Sequence, residues 1–256
     1  MNISENICCW VIDLGLIAYQ PAFDLQRQLV AARKRGAVPD VLLLCEHPHV
    51  ITLGRSGKQE HLLASSHLLR QMGVEFLPSD RGGDVTYHGP GQIVGYPILN
   101  LAAIRRDVAW YVRQLEEAMI RATAEFGIVA GRKTGMTGVW VDKAAGASNH
   151  TANYTASEKL AAIGVHLSRW VTSHGFAYNV STALRYFDLI VPCGIADKRA
   201  TSLERLLGRV VLREEAAPRI VAHLGEVFGR EMKPVSRENL EHALRECETP
   251  AAHAIA

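Results

Sequence analysis

The chain has 256 residues, 48% of them hydrophobic and 21% charged, a composition typical of a soluble globular protein with a sizeable core. A formal net charge of +2 argues against the concentrated basic surface of nucleic-acid-binding proteins, so we expect no nucleic-acid partner. The sequence lacks the pattern of a signal peptide or a membrane span, and its five cysteines contain no Cys-x-x-Cys pair. We therefore expect a cytoplasmic protein with reduced thiols and no membrane partner.

Apolar runs predict six short strands and one helix in the first hundred residues. The helix is predicted from Ala18 to Arg35, with Gly36 as its stop and Arg33 to Arg35 as a solvated basic end. The predicted strands are Cys8 to Leu14, Val41 to Cys45, Val50 to Leu53, Val74 to Leu77, Val85 to Tyr87 and Ile93 to Tyr96. We expect them to form one sheet around a glycine-rich segment.

The second part of the chain alternates between helices and strands. Apolar residues at three- and four-residue spacing predict a helix from Asp107 to Phe126, with Asp107 as its N-cap. Further predicted strands are Gly138 to Val141, Lys159 to His166 and Trp170 to Tyr178, and further predicted helices are Thr201 to Leu207, Arg213 to Phe228 and Arg237 to Cys247. The whole pattern predicts an α/β fold with a mixed sheet flanked by helices.

Two segments carry no core pattern. Ala144 to Ser157 is rich in small polar residues and predicts an exposed loop, and Thr249 to Ala256 predicts a frayed tail. Pro234 marks a boundary between a domain of residues 1–233 and a C-terminal helical tail of residues 234–256, which is too short to be an independent domain.

The glycine-rich segment runs from Arg81 to Gln92 with the sequence RGGDVTYHGPGQ. Glycine is used where the backbone needs a positive φ angle or another group comes close, so its two glycine clusters predict a loop, a strand and a loop against a ligand. A strand bounded by two tight turns gives the same pattern, because hairpins also use glycine and proline. Both interpretations are open at this stage.

Cys193 is the cysteine whose surroundings suggest reactivity. It follows Pro192 at the end of an apolar run and precedes Gly194, so its thiol is open to a substrate if the strand ends there. A buried structural thiol is an equal alternative, since free cysteines are often buried. Lys159, taken alone, is typical of a solvated residue on an edge strand.

Other polar residues have structural alternatives as well. Asp84 and Tyr87 either orient a substrate or satisfy hydrogen bonds in a turn. The spacing of His88, His166 and His174 matches no pattern of metal ligands, so we expect no metal site.

Six sequence segments, in order from about residue 40 to 200, carry a resemblance to a known family. They are Glu46 to Pro48 with Thr52 to Arg55, Arg81 to Gln92, Lys133 to Gly135 with Gly138 to Trp140, Lys159 to Val165, His174 to Val180, and Pro192 to Ile195. In these segments the chain resembles the octanoyltransferases of lipoate biosynthesis, which belong to the biotin and lipoate protein ligase superfamily. The resemblance implies the catalytic-domain fold of that superfamily.

The resemblance also implies a reaction and its partners. It implies transfer of an octanoyl or lipoyl group from acyl carrier protein to a lysine of apo lipoyl domains, those of 2-oxoacid dehydrogenase complexes and of the glycine cleavage H protein. It implies catalytic roles for Cys193, as a thioester, and for Lys159, with no cofactor. The substrate-binding residues that it implies are Arg81, Gly82, Gly83, Asp84, Val85, Thr86, Tyr87, His88, Ala162, Ile163, Gly164, Gly175, Phe176 and Ala177.

The residue types suit that chemistry. A nearby ammonium lowers the pKa of a thiol, so Lys159 beside Cys193 would increase the thiolate fraction. Whether Lys159 tunes the thiol, carries protons or does both stays open. We expect the glycine-rich segment to form a wall of the acyl pocket, with Arg81 and His88 at its mouth.

Two other functions compete with acyl transfer. An ATP-dependent lipoate or biotin ligase has the same fold but needs no cysteine nucleophile, and a non-catalytic module would only hold an acylated carrier. The segment from Asp142 to Ser157 is longer than the family's usual link, and its role, in partner contact or in none, is open.

Overall fold

The computed structural model describes residues 7–142, 157–191 and 199–248. Its elements are β1 (Cys8–Leu16), α1 (Tyr19–Lys34), β2 (Asp40–Glu46), β3 (Val50–Leu53), α2 (Ser66–Gln71), β4 (Glu75–Pro78), β5 (Val85–His88), β6 (Gln92–Ile98), α3 (Val108–Ala124), β7 (Gly131–Lys133), β8 (Met136–Asp142), β9 (Ser157–Ser168), β10 (Val171–Asn179), β11 (Arg199–Ala200), α4 (Leu203–Leu207), α5 (Arg213–Phe228), β12 (Glu231–Pro234) and α6 (Arg237–Glu248). Cys193, the predicted loop up to residue 156 and the predicted tail lie outside the described residues.

The larger sheet has the strand order β12-β1-β2-β6-β10-β9-β8-β7, and β11 also pairs with β9. β1 is parallel to both of its neighbours, whereas the strands from β2 to β7 follow one another in antiparallel pairs. Arg169 and Trp170 form the turn between β9 and β10, with φ angles of 50° and 67°. Such a turn suits the twist of a hairpin, so β10 begins one residue later than predicted.

The expectation of a single sheet was wrong. Strands β4, β3 and β5 form a separate three-stranded sheet, in which β3 is parallel to β4 and antiparallel to β5. This sheet has its own core, made by Ile51, Val85 and Tyr87 together with Leu69 of α2 and Tyr186. Apolar runs predict that a strand exists, but they do not specify which strands it pairs with.

The strand β2 shows how the larger sheet is buried on both faces. Leu42 and Leu44 point into a core shared with α3 and α5, whereas the alternate residues point into a second core shared with α1 and α6. Asp107 caps α3 as predicted, because its carboxylate accepts the backbone N–H of Trp110 at 2.9 Å. None of the helices in the described ranges is long and apolar enough to cross a membrane.

The basic cluster at the end of α1 differs from the prediction in one residue. Arg33 is only 9% exposed, and its Nε lies 2.8 Å from Asp40, a carboxylate that is itself buried. Arg230, before β12, donates to the other oxygen of Asp40 at 2.8 Å. The backbone N–H of Asn100 donates to the oxygen that Arg33 contacts, at 2.9 Å. Arg33 therefore joins α1 to the sheet, and only Lys34 and Arg35 are exposed as predicted.

Candidate functional site

A cavity of about 480 Å³ is lined by residues from both sheets. The small sheet contributes β5, and the larger sheet contributes β6, β8, β9, β10 and β11. Among the predicted site residues, the cavity is lined by Arg81, Gly82, Gly83, Asp84, Val85, Thr86, His88, Lys159, Ala162, Ile163, Gly164, Gly175, Phe176 and Ala177. The fold thus brings together segments that are separated by up to about one hundred residues in the sequence.

The start of the glycine-rich segment lies directly against β9. The backbone N–H of Gly82 donates to the carbonyl oxygen of Val165 at 2.9 Å. A Cβ atom on Gly164 would lie only 2.8 Å from the carbonyl oxygen of Gly82, so a side chain at residue 164 would push this segment away from the strand. Glycine at residue 164 is therefore required for the close contact that forms this wall of the cavity.

Arg81 is buried rather than placed at the mouth of the cavity, and it is 7% exposed. Its Nη2 donates to the carbonyl oxygen of Thr52 at 2.7 Å and to the Thr52 hydroxyl at 2.9 Å, and its Nη1 donates to the carbonyl oxygen of Gly82 at 3.1 Å. The guanidinium therefore fastens the glycine-rich segment to β3 while its surface faces the cavity.

His88 is also buried, so the expectation that it lies at the mouth was wrong. Its Nδ1 lies 2.8 Å from the Gln92 side-chain oxygen, and the Gln92 amide donates to Asn179 at 2.9 Å. The Asn179 amide then donates to the carbonyl oxygen of Thr201, whose N–H donates to the carbonyl oxygen of Lys159. Burial, reinforced by His47, lowers the pKa of His88 to about 3, so the ring is neutral at pH 7 and donates through Nδ1.

Tyr87 is the described substrate-binding candidate that does not line the cavity. Its hydroxyl lies 2.7 Å from Nδ1 of His49, and its ring stacks on Tyr186 with the centroids 5.1 Å apart. Tyr186 belongs to the 3-10 helix Leu184–Leu189, which precedes residues 192–198 in the chain. Tyr87 therefore connects the glycine-rich segment to that helix instead of contacting the cavity.

Asp84 lines the cavity, yet both of its oxygens are used by a neighbouring loop. One accepts the backbone N–H of Lys58 at 3.2 Å, and the other pairs with Nδ1 of His61. The carbonyl oxygen of His61 in turn accepts the N–H of Val191 at 2.8 Å. These contacts favour the interpretation of Asp84 as a residue that satisfies local hydrogen bonds.

His174 combines burial with an unusual backbone conformation at the cavity wall. Its φ angle is 54°, a left-handed value that is uncommon for residues other than glycine, and strained residues of this kind cluster at functional sites. Its Nε2 lies 2.6 Å from Asp80, and its ring stacks on Phe23 at 5.3 Å. Burial opposes ionisation of Asp80, but the hydrogen bond with His174 holds the pKa of this carboxyl below its usual value, while burial lowers the pKa of His174 itself.

Lys159 lies on β9, with its side chain at the cavity wall. Its ammonium nitrogen is 4.7 Å from the centroid of the Trp140 ring. The chain leaves the described part of the protein at Val191 and returns at Arg199, which lines the cavity together with Ala200. Within the described ranges, no group of three His, Cys, Asp or Glu side chains could hold a metal ion.

Several further residues line the cavity that were not predicted to contact a substrate. They are Tyr19, Gln92, Val94, Tyr96, Val112, Gly135, Met136, Thr137, Trp140, Val165, His174, Asn179, Phe187, Arg199 and Ala200. Part of this set was detectable, because Gln92, Val94 and Tyr96 alternate along β6 and so share one face of the sheet. Val112, by contrast, is one of the regularly spaced apolar residues that predict helix α3. Residues that pack in the core have the same spacing, so the sequence does not show that Val112 lines the cavity instead.

Comparison with known proteins identifies the family. The family model of the lipoyl protein ligase A/B catalytic domain matches residues 18–225. The octanoyltransferase of Solibacter usitatus is 52% identical over 226 residues, which cover 88% of this chain and 96% of the relative, and that of Cytophaga hutchinsonii is 45% identical over 241 residues, which cover 89% and 96%.

Solved structures are similar in fold at much lower identity. The bipartite lipoate protein ligase of Thermoplasma acidophilum has a TM-score of 0.70 at 14% identity, covering 94% of this chain and 92% of that one. A lipoate-protein ligase A bound with ATP has a TM-score of 0.66 at 13% identity, covering 94% and 93%. The predicted mixed α/β fold flanked by helices is confirmed, with two sheets in place of the single one expected, and the chain belongs to the family of lipoyl protein ligase A/B catalytic domains.

Proposed function

We propose that this protein transfers an octanoyl group from octanoyl-acyl carrier protein to a lysine of an apo lipoyl domain, through a thioester on Cys193. The observation that carries the proposal is the composition of one cavity wall, which combines the glycine-rich segment with the side chain of Lys159. Relatives named octanoyltransferase, at 50% and 52% identity over most of the chain, support octanoyl transfer in lipoate biosynthesis.

In the first step the thiolate of Cys193 attacks the carbonyl carbon of the donor thioester. A carbon–sulfur bond forms to Cys193, and the bond to the carrier's sulfur breaks. The ammonium of Lys159 stabilises the thiolate before the attack and gives its proton to the departing carrier thiolate. One thioester replaces another of similar energy, so the step needs no ATP.

In the second step the amine of the acceptor lysine attacks the acyl group on Cys193. A carbon–nitrogen bond forms, the carbon–sulfur bond breaks, and the Cys193 thiolate is regenerated. The neutral amine of Lys159 takes the proton that the acceptor nitrogen loses, which restores the ammonium for the next cycle. Formation of an amide from a thioester drives this step forward.

Apart from Lys159, the residues that line the cavity would hold the acyl chain rather than carry out the chemistry. Val85, Ala162 and Ala177 offer apolar surface, and the glycines at residues 82, 164 and 175 let neighbouring backbone segments pack closely to form the wall. We assign no substrate contact to Tyr87, because its side chain points into the core of the small sheet.

The acceptors that we propose are lipoyl domains of 2-oxoacid dehydrogenase complexes and the glycine cleavage H protein. The bipartite lipoate protein ligase of Thermoplasma acidophilum has been studied with its E2 lipoyl domain, which is consistent with this class of acceptor. We also propose that the protein acts in the cytoplasm, since Cys8, Cys9 and Cys45 are buried and unpaired, as in a reducing compartment.

Intact-mass measurement tests the covalent step. After incubation with octanoyl-acyl carrier protein, the protein should gain one octanoyl group, and peptide mapping should place it on Cys193. The variant Cys193→Ser should gain none, and Lys159→Met should acylate more slowly while keeping its fold. An unmodified wild-type protein that still binds the acylated carrier would support a binding module instead.

A second measurement separates acyl transfer from ATP-dependent ligation. Octanoyl transfer to an apo lipoyl domain should proceed at the same rate with and without ATP when octanoyl-acyl carrier protein is the donor. If free octanoate with ATP supports modification and the carrier thioester does not, the protein is a ligase and the proposal is wrong.

A further inference from the structure

Trp140 and Lys159 lie directly opposite each other on neighbouring strands. In the pairing of β8 with β9, Val139 faces Ala161 but the next residue, Trp140, faces Lys159. Leu160 is therefore an extra residue on β9, which is a β-bulge. Bulges change the direction of nearby side chains, and this one brings the Lys159 ammonium over the Trp140 ring at 4.7 Å from its centroid.

The Trp140 ring is itself held in place. It is 4% exposed, and its Nε1 donates to the carbonyl oxygen of Met136 at 3.1 Å. The buried carboxylate of Glu116 on α3 accepts the backbone N–H of Gly138 at 2.9 Å, so the strand that carries Trp140 is fastened to the helix below it. The ring therefore has one orientation relative to β9.

Gly138 lets β8 approach β9 closely beside the Lys159 side chain. Its φ angle is 126°, which only glycine adopts without strain, and a Cβ there would lie 2.5 Å from the carbonyl oxygen of Ala161 and 3.5 Å from Cε of Lys159. The bulge and the ring thus direct the lysine to one position at the cavity wall, and this glycine allows the close approach of the two strands there.

We propose that Trp140 is a positioning residue for Lys159. Through a cation–π contact, the face of the Trp140 ring keeps the lysine charged and directed into the cavity. The inference rests on the proposed function, in which the ammonium of Lys159 stabilises the thiolate of Cys193. The ring quadrupole attracts the ammonium but not the neutral amine, so the contact favours the charged form. Loss of the contact should lower the fraction of Cys193 that is present as thiolate and so raise the pH at which Cys193 becomes reactive.

The pH dependence of Cys193 alkylation by iodoacetamide measures this effect, with mass spectrometry of the Cys193 peptide as the readout. The cation–π contact stabilises the charged form of Lys159 by the equivalent of about 0.5 to 1.5 pH units, and this is the upper bound of its effect on Cys193. Trp140→Leu should therefore raise the alkylation midpoint by up to about 1.5 pH units. Trp140→Phe keeps an aromatic face and should raise it less. Trp110→Phe, at a tryptophan that contacts Arg105 away from the cavity, is the matched control and should leave it unchanged.

Fluorinated tryptophans test the interaction without changing its shape. Successive fluorines weaken the negative face of the ring, so incorporation of mono-, di- and trifluorotryptophan should raise the alkylation midpoint in graded steps. The same series in the Trp140→Phe protein, which keeps the other three tryptophans, should show no gradation. Equal gradation in both proteins, or none in the wild type, would overturn the proposal even if Trp140→Leu fails to fold.

A double-mutant comparison separates this proposal from the proposed function. In a Lys159→Met background, Trp140→Phe should no longer move the midpoint, because the cation is gone. If Lys159→Met itself leaves alkylation and octanoyl transfer unchanged, the catalytic role of Lys159 fails. If Lys159→Met strongly changes the alkylation midpoint and octanoyl transfer but the Trp140 variants leave both unchanged, only the proposed role of Trp140 fails.

Discussion

The contact between Gly164 and the glycine-rich segment gives a sharp test of how the cavity is built. In Gly164→Ala the new Cβ would lie 2.8 Å from the carbonyl oxygen of Gly82, about 0.6 Å inside an ordinary contact. That oxygen belongs to backbone, and the adjacent N–H of Gly82 is bonded to Val165. The segment must therefore move away from β9, and the wall of the cavity moves with it.

We expect this displacement to affect both stability and transfer. Overpacking of this kind lowers the free energy of unfolding by about 1–3 kcal/mol. Because a misplacement near 1 Å can cost about 100-fold in rate, kcat/KM for octanoyl transfer should fall by about 10- to 100-fold. Urea denaturation and a transfer assay with an apo lipoyl domain measure the two effects.

The matched control is Gly131→Ala. A Cβ at Gly131 meets nothing within 4 Å, and its φ angle is not in the left-handed region, so this change should leave kcat/KM within about twofold and stability within about 1 kcal/mol. If Gly164→Ala transfers octanoyl groups at the wild-type rate, or if Gly131→Ala loses as much activity, the close contact does not form the functional wall.

Three further predictions concern buried polar groups. Burial lowers the pKa of His88 from an ordinary 6.5 to about 3, so its contribution to stability is complete above pH 6.5 and is lost as the pH falls toward 3. In wild type, His88 should make the free energy of unfolding fall by about 1.4 kcal/mol per pH unit below pH 6.5, and His88→Asn should remove that share of the slope. Urea denaturation at several pH values measures it, and an unchanged slope would contradict the prediction. Asp40→Asn leaves Arg33 and Arg230 buried without a countercharge and should lower the free energy of unfolding by about 3–5 kcal/mol, as measured by urea denaturation. A loss under about 1 kcal/mol would show that solvent reaches the two arginines. Tyr87→Phe loses one hydrogen bond and should lower stability by about 1–2 kcal/mol with KM for the donor unchanged, and a raised KM would restore Tyr87 as a substrate contact.

The sequence predicted elements more reliably than their partners. Helix α3 and its Asp107 cap follow directly from spacing and capping chemistry, and strand β3 begins and ends at the predicted residues. The pairing of β3 with β4 and β5 in a separate sheet depends on long-range contacts such as that between Tyr87 and Tyr186. Such contacts leave no local period in the sequence, so the expectation of one sheet failed.

The cavity shows the same division between residue type and residue position. The glycine-rich segment could be recognised as a ligand wall because glycine has a local cost that some contact must offset. The burial of Arg81 could not, since its partner Thr52 lies on another strand and a lone arginine in a loop is typically exposed. A sequence indicates that a polar group is present, but only the fold decides which hydrogen bonds it makes.

The places where regular patterns break are the most informative about the site. Leu160 and Ala161 are consecutive on β9 and are both fully buried in one core cluster, which a regular strand does not allow because successive side chains face opposite sides. In the sequence Lys159 is followed by the four apolar residues Leu160 to Ile163, a run that a regular strand buried on both faces also gives. The bulge that directs Lys159 toward Trp140 is therefore seen only in the strand pairing. His174, with its left-handed backbone, breaks the regularity of β10 at the same cavity. Because irregular backbone costs stability, its concentration around one cavity indicates that the fold keeps these distortions to hold side chains in place there.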